Sequence, residues 1–135
     1  NIGTVKTKNA MKESEKVISS FDVKTPGTNT LATALSGGNQ QKFVVGRELE
    51  DNPSLLIASQ PTRGIDIGAQ ALIWEKLRTT RDQGLSVLLI SADLEELIGL
   101  SDRIIVFYQG RLVKELNAEN VTPEDLGGYM TGLKK

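Results

Sequence analysis

Leu35-Ser36-Gly37-Gly38-Asn39-Gln40-Gln41-Lys42 is the stretch on which the reading of this chain turns. A hydroxyl, two glycines and a polar run lead into Phe43-Val44-Val45-Gly46-Arg47-Glu48-Leu49-Glu50, which reads as a helix. Ser36 is an N-cap candidate, because its oxygen can accept a hydrogen bond from a first-turn amide. Gly37 and Gly38 carry no side chain, so their amides can come close to a ligand. Free first-turn amides and the helix dipole, about half a positive charge at the N-terminus, attract phosphate. Taken alone, Ser-Gly-Gly is equally the start of an ordinary capped helix.

Upstream, Ala10 to Ser20 reads as a short helix with Met11, Val17 and Ile18 as its apolar positions. Thr25-Pro26-Gly27-Thr28-Asn29 is a turn cluster, and a loop from Thr30 to Leu35 follows it. Downstream, Asp51-Asn52-Pro53 ends the helix, since a residue before proline is pushed away from helical angles. Leu55-Leu56-Ile57-Ala58 is a continuous apolar run, the pattern of a strand covered on both faces, and Ser86-Val87-Leu88-Leu89-Ile90-Ser91 reads as a second strand of the same buried type. Between them Asp66 can cap a helix from Ile67 to about Arg81, stopped by Gln83-Gly84, with Ile67, Ala71, Ile73, Trp74 and Leu77 inward. Strand, helix, strand predicts a parallel βαβ unit. Asp93 and Glu96 sit at capping-box spacing ahead of a helix stopping near Ser101. Arg103–Tyr108 and Arg111–Leu116 flank Gln109-Gly110, a hairpin signal. Thr122-Pro123 starts a last helix running to about Met130. Trp74 reads as core, Phe107 and Tyr108 as alternating strand residues with one facing in, and Glu95-Glu96 and Lys134-Lys135 as solvated charges.

Composition narrows the functional classes. The 135 residues make one domain or a piece of a larger one, and a start at Asn1 without an initiator Met suggests a piece. A formal net charge of −1 argues against nucleic acid and anionic membrane surfaces as partners. The chain has no Cys and no His, which removes thiolate zinc sites together with the commonest general base and metal ligand. No apolar run reaches the ~18 residues of a membrane span. The expectation is a soluble, cytoplasmic α/β protein with no metal site of its own.

The octapeptide resembles the signature motif of the ATP-binding cassette (ABC) ATPases, and its Asn-Gln-Gln-Lys ending resembles the importers of simple sugars and nucleosides. Pro61-Thr62-Arg63-Gly64-Ile65-Asp66, Ile90-Ser91-Ala92-Asp93-Leu94-Glu95-Glu96-Leu97 and Asp102-Arg103-Ile104 follow in the family's order, so the resemblance covers roughly Phe21 to Leu116. It implies a partial P-loop NTPase core with parallel βαβ strands and a carboxyl-terminal hairpin. Residues 1–50 would belong to the helical subdomain and residues 51–135 to the carboxyl-terminal part of the ATPase core, in the second of two fused nucleotide-binding domains. It further implies that Ser36, Gly37, Gly38, Asn39 and Gln40 contact the γ-phosphate of ATP held by the other nucleotide-binding domain, and that Asp66 is the aspartate of the D-loop along the same interface.

Other family features are missing. Where the family places Asp-Glu-Pro-Thr after the Walker B strand, this chain has Ser59-Gln60-Pro61-Thr62. Ser59 carries no charge to offset Mg2+, and Gln60 can orient a water but cannot take its proton, a loss worth about 10²–10⁴ in rate. Ala92 stands where the family places a His. The phosphate-binding loop G-x-x-x-x-G-K-[ST] is absent. ATP and Mg2+ are therefore expected in the assembled transporter, with neither strongly bound by the isolated chain, which is expected to be inactive. Implied partners are the other nucleotide-binding domain, transmembrane permease subunits holding it at the inner face of the membrane and, indirectly, a solute-binding protein. Uncovered strand edges add an expectation of pairing between chains or domain swapping. The alternatives are a non-transport ABC-type ATPase in DNA maintenance or translation, and a non-catalytic interaction module. Neither sustained heptads in residues 1–34 nor a basic surface supports the former.

Overall fold

The computed structural model describes residues 7–134. They fall into two compact units, one of residues up to Leu56 with Pro61–Val87, the other of Ile57–Gln60 with residues from Leu88 onward.

The first unit is built on three helices, α1 (Thr7–Ser20), α2 (Gly37–Glu50) and α3 (Ile67–Asp82). Helix α1 begins three residues before the predicted start. It ends in a Schellman arrangement: the Val23 N–H donates to Ile18 O at 3.0 Å, the Asp22 N–H to Ser19 O at 3.5 Å, and Asp22 is left-handed at φ 47°. The turn folds Phe21 and Val23 inward beside Val17, all three buried. Helix α2 starts directly after Ser36, so Gly37–Lys42, read as its approach, is its first turn and a half. A short 3-10 turn, Ala32–Ala34, interrupts the expected loop just upstream. Where α1 meets α2, a Cβ on Gly46 would lie 2.7 Å from Phe21 Cδ2 and from Val17 Cγ1, so helices packed this closely favour glycine there. Lys16 and Glu50 add an exposed ion pair at 2.9 Å between the two helices.

Helix α3 corrects part of the expected pattern. Its buried stripe is Ala69, Ile73 and Leu77, spaced by four, whereas Ile67 is 84% exposed and Ala71 is exposed. Both lie two residues from stripe positions, about 200° around the helix. Trp74, one step off the stripe, is half-buried rather than core, with the Arg78 guanidinium 5.8 Å over its ring. The helix ends in a second Schellman arrangement, with Leu85 N–H on Thr80 O at 3.2 Å and Gly84 at φ 105°.

Strands β1 (Leu55–Ser59) and β2 (Ser86–Ile90) pair as a two-stranded parallel sheet. Hydrogen bonds from Ser86 N to Ser54 O (3.1 Å) and from Gln60 N to Ile90 O (2.7 Å) mark its two ends. The expectation of cover on both faces fails. Leu55, Ile57, Leu88 and Ile90 are 53, 62, 51 and 49% exposed, because nothing in the described residues packs over their side of the pair.

The second unit carries α4 (Leu94–Leu100), the antiparallel hairpin β3 (Arg103–Tyr108) and β4 (Arg111–Asn117), a 3-10 turn (Ala118–Asn120) and α5 (Pro123–Met130). Gln109 and Gly110 both have positive φ, 48° and 74°, the requirement of a type I′ turn. A bulge between Val106 and Phe107 sets Phe107 opposite Leu112. Ile104 and Val106 point into a core shared with Ala118 and Leu126, the last 0% exposed. Ile105 and Phe107 alternate outward. Thr122 caps α5 through the Asp125 N–H at 3.1 Å, with Pro123 at the first helical position as expected. Glu96, expected to be solvated, is 1% exposed. It sits on a seven-residue helix packed on α5 and the 3-10 turn, and no buried side-chain oxygen or nitrogen among the described residues lacks a hydrogen-bond partner. Among the described residues no helix is long and apolar enough to cross a membrane.

Candidate functional site

In the first unit the start of α2 is a dense set of local hydrogen bonds. Ser36 Oγ accepts from the Asn39 N–H at 3.4 Å and from Asn39 Nδ2 at 2.9 Å. Asn39 Oδ1 in turn accepts from the Lys24 N–H at 2.8 Å, tying the helix start to the segment that follows α1. Gln40 Nε2 donates to Leu35 O at 2.9 Å, closing the stretch onto its own first residue. The side chains of Asn39 and Gln40 are thus occupied in shaping the loop.

The amides are disposed differently. The Asn39 N–H goes to the Ser36 side chain and the Gln40 N–H to Ser36 O at 2.9 Å. Those of Gly37 and Gly38 take no acceptor among the described residues, as expected for the first positions of a helix. Two adjacent donors at the positive end of a 14-residue helix suit an anionic oxygen. Gly37 is exposed, with only Gly64 O, at 3.9 Å, near the place a Cβ would take.

Gly38 is buried, and for a different reason. A Cβ there would lie 2.8 Å from Asp66 Oδ2 and 3.0 Å from Ala69 Cβ. The lack of a side chain at Gly38 is thus also required by the chain's own packing, while its amide stays without an acceptor among the described residues. Asp66 performs its predicted capping: Oδ1 accepts from the Ala69 N–H at 2.9 Å. Its carboxyl is held below the usual carboxylate range, first by the Ala69 N–H and then by its own N–H, the Gly68 N–H and the Lys42 charge, with some loss of hydration opposing them. Lys42 also donates to Asp22 O at 3.3 Å, and Asp22 pairs with Lys24 at 2.6 Å. The structure therefore brings Ser36–Gln40 and Asp66 together.

In the second unit Gln60 and Ala92 also meet. The Ala92 N–H donates to Gln60 Oε1 at 3.4 Å, and the Ser91 hydroxyl accepts from the Asp93 N–H at 3.0 Å. Gln60 itself is left-handed, at φ 51°, a conformation uncommon outside glycine. Ser59 ends β1 with its side chain exposed. No carboxylate stands at Ser59, Gln60 or Ala92, and among the described residues no three His, Cys, Asp or Glu side chains gather as a metal site. At these three positions the strand end is neutral, and Gln60 and Ser91 hold the following loop in place.

No protein-family model matches the chain. Among curated proteins it is 50% identical over 121 residues to the guanosine import ATP-binding protein NupO of Bacillus subtilis, covering 90% of this chain and 24% of that protein. It is 44% identical over 117 residues to the nucleoside import ATP-binding protein NupA of Lactococcus lactis (87% and 23%). It is 40% identical over 129 residues to the ribose import ATP-binding protein RbsA of Clostridium tetani (93% and 26%). The chain spans about a quarter of the length of these relatives. Among solved structures, the dimeric ATP-binding cassette MJ0796 bound to ADP and Pi superposes with a TM-score of 0.71 at 23% identity, covering 87% of this chain and 51% of that one. The ADP conformation of MJ1267, an ATP-binding cassette of an ABC transporter, gives 0.69 at 19%, covering 97% and 50%. At such identities the structural likeness establishes the fold, that of part of an ABC ATPase domain. With sequence identities of 40–50% along nearly its whole length, the chain belongs to the ATP-binding proteins of the sugar and nucleoside ABC importers, as a portion equal to about a quarter of one.

Proposed function

We propose that this chain supplies the signature and D-loop of an importer's ATP-binding protein, acting on a nucleotide held by the other nucleotide-binding domain. In this reading residues 1–50 and 51–135 are the helical and core portions of the carboxyl-terminal part of the second domain. The observation that carries it is the start of α2, where Gly37 and Gly38 present unclaimed amides while Ser36, Asn39 and Gln40 lock the loop around them. Gly37 and Gly38 would face the terminal phosphate, Ser36 would border it, and Asp66 would line the same edge. Bound MgATP supplies the phosphoanhydride whose cleavage powers transport. This chain's residues would orient its outer end and hydrogen-bond to it, at little reorganisation cost because the donors are already fixed.

The second half of the reading is that the chain's own strand end is silent. Ser59, Gln60 and Ala92 would make the site on its own side non-hydrolytic, so that one of two composite sites works. The assembled protein would sit at the cytoplasmic face of the membrane through permease subunits, with simple sugars or nucleosides as cargo and a solute-binding protein delivering them.

The test is Ser36→Arg in the full-length ATP-binding protein reconstituted with its permease. Loss of transport-coupled hydrolysis, with nucleotide binding to the phosphate-loop sites retained, supports the role; unchanged hydrolysis removes it.

A further inference from the structure

Asp66 has two carboxylate oxygens with different occupations. Oδ1 caps α3, and Oδ2 fills the space that a Cβ at Gly38 would need. Ala69 closes the same space from α3, one turn after the cap. Gly38 is thereby buried between Asp66 and Ala69, while its neighbour Gly37 stays open. Asp66 thus rests on the second position of α2, beside an amide that takes no acceptor among the described residues.

We propose that Asp66 is a positioning residue for the phosphate-facing amides of its own chain: Oδ2, seated where Gly38 lacks a side chain, fixes how the first turn of α2 presents the Gly37 and Gly38 N–H groups. The segment Thr62–Asp66 and the start of α2 then shift together. A displacement of one at an interface is transmitted to the other without passing through the helical core. This rests on the proposed function for its consequence, but the coupling itself is a property of the chain.

Two measurements on the chain test it. The first is a double-mutant cycle by chemical denaturation, using Gly38→Ala and Asp66→Gly. Glycine is itself an acceptable N-cap, so Asp66→Gly removes the side chain with little loss of α3. In contact, the two changes are non-additive: Gly38→Ala raises the unfolding constant by about tenfold more with Asp66 in place than in the Asp66→Gly background. Equal costs in both backgrounds would overturn the proposal. The second separates positioning from capping. In an acid titration followed by amide NMR, the Gly37 and Gly38 signals track Asp66's own ionisation along with those of Gly68 and Ala69, and stop doing so in Asp66→Asn. Asp22 and Lys42 lie in the same region, and Asp22 titrates in the same acid range, so the Asp66→Asn spectrum identifies the source. Movement of Gly68 and Ala69 alone would reduce Asp66 to a helix cap. Should both results hold while Ser36→Arg leaves hydrolysis in the full-length protein untouched, the coupling stands and the functional reading falls.

Discussion

The start of α2 and the end of β1 are both short polar stretches at the mouth of a helix or strand, and they have been built in opposite ways. At α2 every polar side chain from Ser36 to Gln40 is spent on holding the backbone, and the backbone amides are what remains available. At β1 the groups that remain, Ser59 and Gln60, are neutral, and Gln60's oxygen is turned inward to the Ala92 N–H. An anion site made of amides needs no titratable group and survives drift in its side chains as long as the cap and the glycines stay. A hydrolytic strand end needs charge at fixed atoms, and a single neutral replacement disables it. On the proposed reading, that contrast is how one chain would keep one half of a composite site while losing the other.

The largest expected effect breaks the α2 side of the contrast. In the full-length protein Ser36→Arg should lower hydrolysis by about 10²-fold or more, the scale of disrupting a preorganised donor set, because it removes the oxygen that locks the loop around the Gly37 and Gly38 amides. Ser59→Ala, made at the neutral strand end, should stay within about twofold. Steady-state hydrolysis with permease present checks both, and equal losses would erase the distinction.

A second expectation concerns what holds α2 where it is. Gly46→Ala places a methyl 2.7 Å from Phe21 and Val17 at the α1–α2 crossing, and overpacking of this kind costs about 1–3 kcal/mol. Urea denaturation should show a midpoint shift at unchanged slope. An unshifted midpoint would mean that the crossing is looser than the structure shows.

Gly46, together with Gly38, also marks the limit of what was legible. Caps at Ser36, Asp66, Asp93 and Thr122 were readable because short polar side chains before apolar runs act locally. So was the Gln109-Gly110 turn, whose backbone demands positive φ. Gly38 and Gly46 owe their identity to residues 28 and 25 positions away, Asp66 and Phe21, and no local window contains that information. Glu96 looked solvated beside Glu95 because charge patterning cannot show which face of a seven-residue helix packs inward. The apolar runs of β1 and β2 correctly signalled strands, but a hydrophobic residue does not by itself establish that something covers it.

A smaller effect separates the charged part of the α2 region from its neutral part. Asp66's carboxyl lies below its ordinary value of about 3.9, so its ionised form is favoured by folding. The sign follows: its contribution is complete above the unfolded value and is lost as pH falls through the folded one. Thermal stability should therefore drop in acid below about pH 4. Asp66→Asn keeps a capping oxygen and should flatten that part of the profile. Asp125, lowered by Lys134 and then Thr122, acts in the same window, but through an exposed ion pair. Added salt should weaken its share and leave the amide-held share of Asp66 largely intact. An identical acid profile in Asp66→Asn would show that the carboxylate's ionisation is not linked to folding.

The smallest effect is the most informative about the strand end. Gln60→Glu places a carboxylate at a left-handed position whose side-chain oxygen already accepts from Ala92 N–H, so the substitution is nearly isosteric and the new charge is directed at an existing donor. A general base alone is worth about 10²–10⁴ in rate, but only where the metal and phosphate are held for it. Ser59 still offers no charge beside it and Ala92 no side-chain donor, so the carboxylate would lack the partners that a base at this place works with. Hydrolysis by the full-length protein should consequently change by less than about twofold, while the hydrogen bond to Ala92 strengthens because its acceptor is now ionised. The Ala92 amide proton should move downfield and exchange more slowly. If this single change instead raised turnover severalfold, the strand end would be a damaged catalyst one residue from repair, and the two regions would differ in degree only.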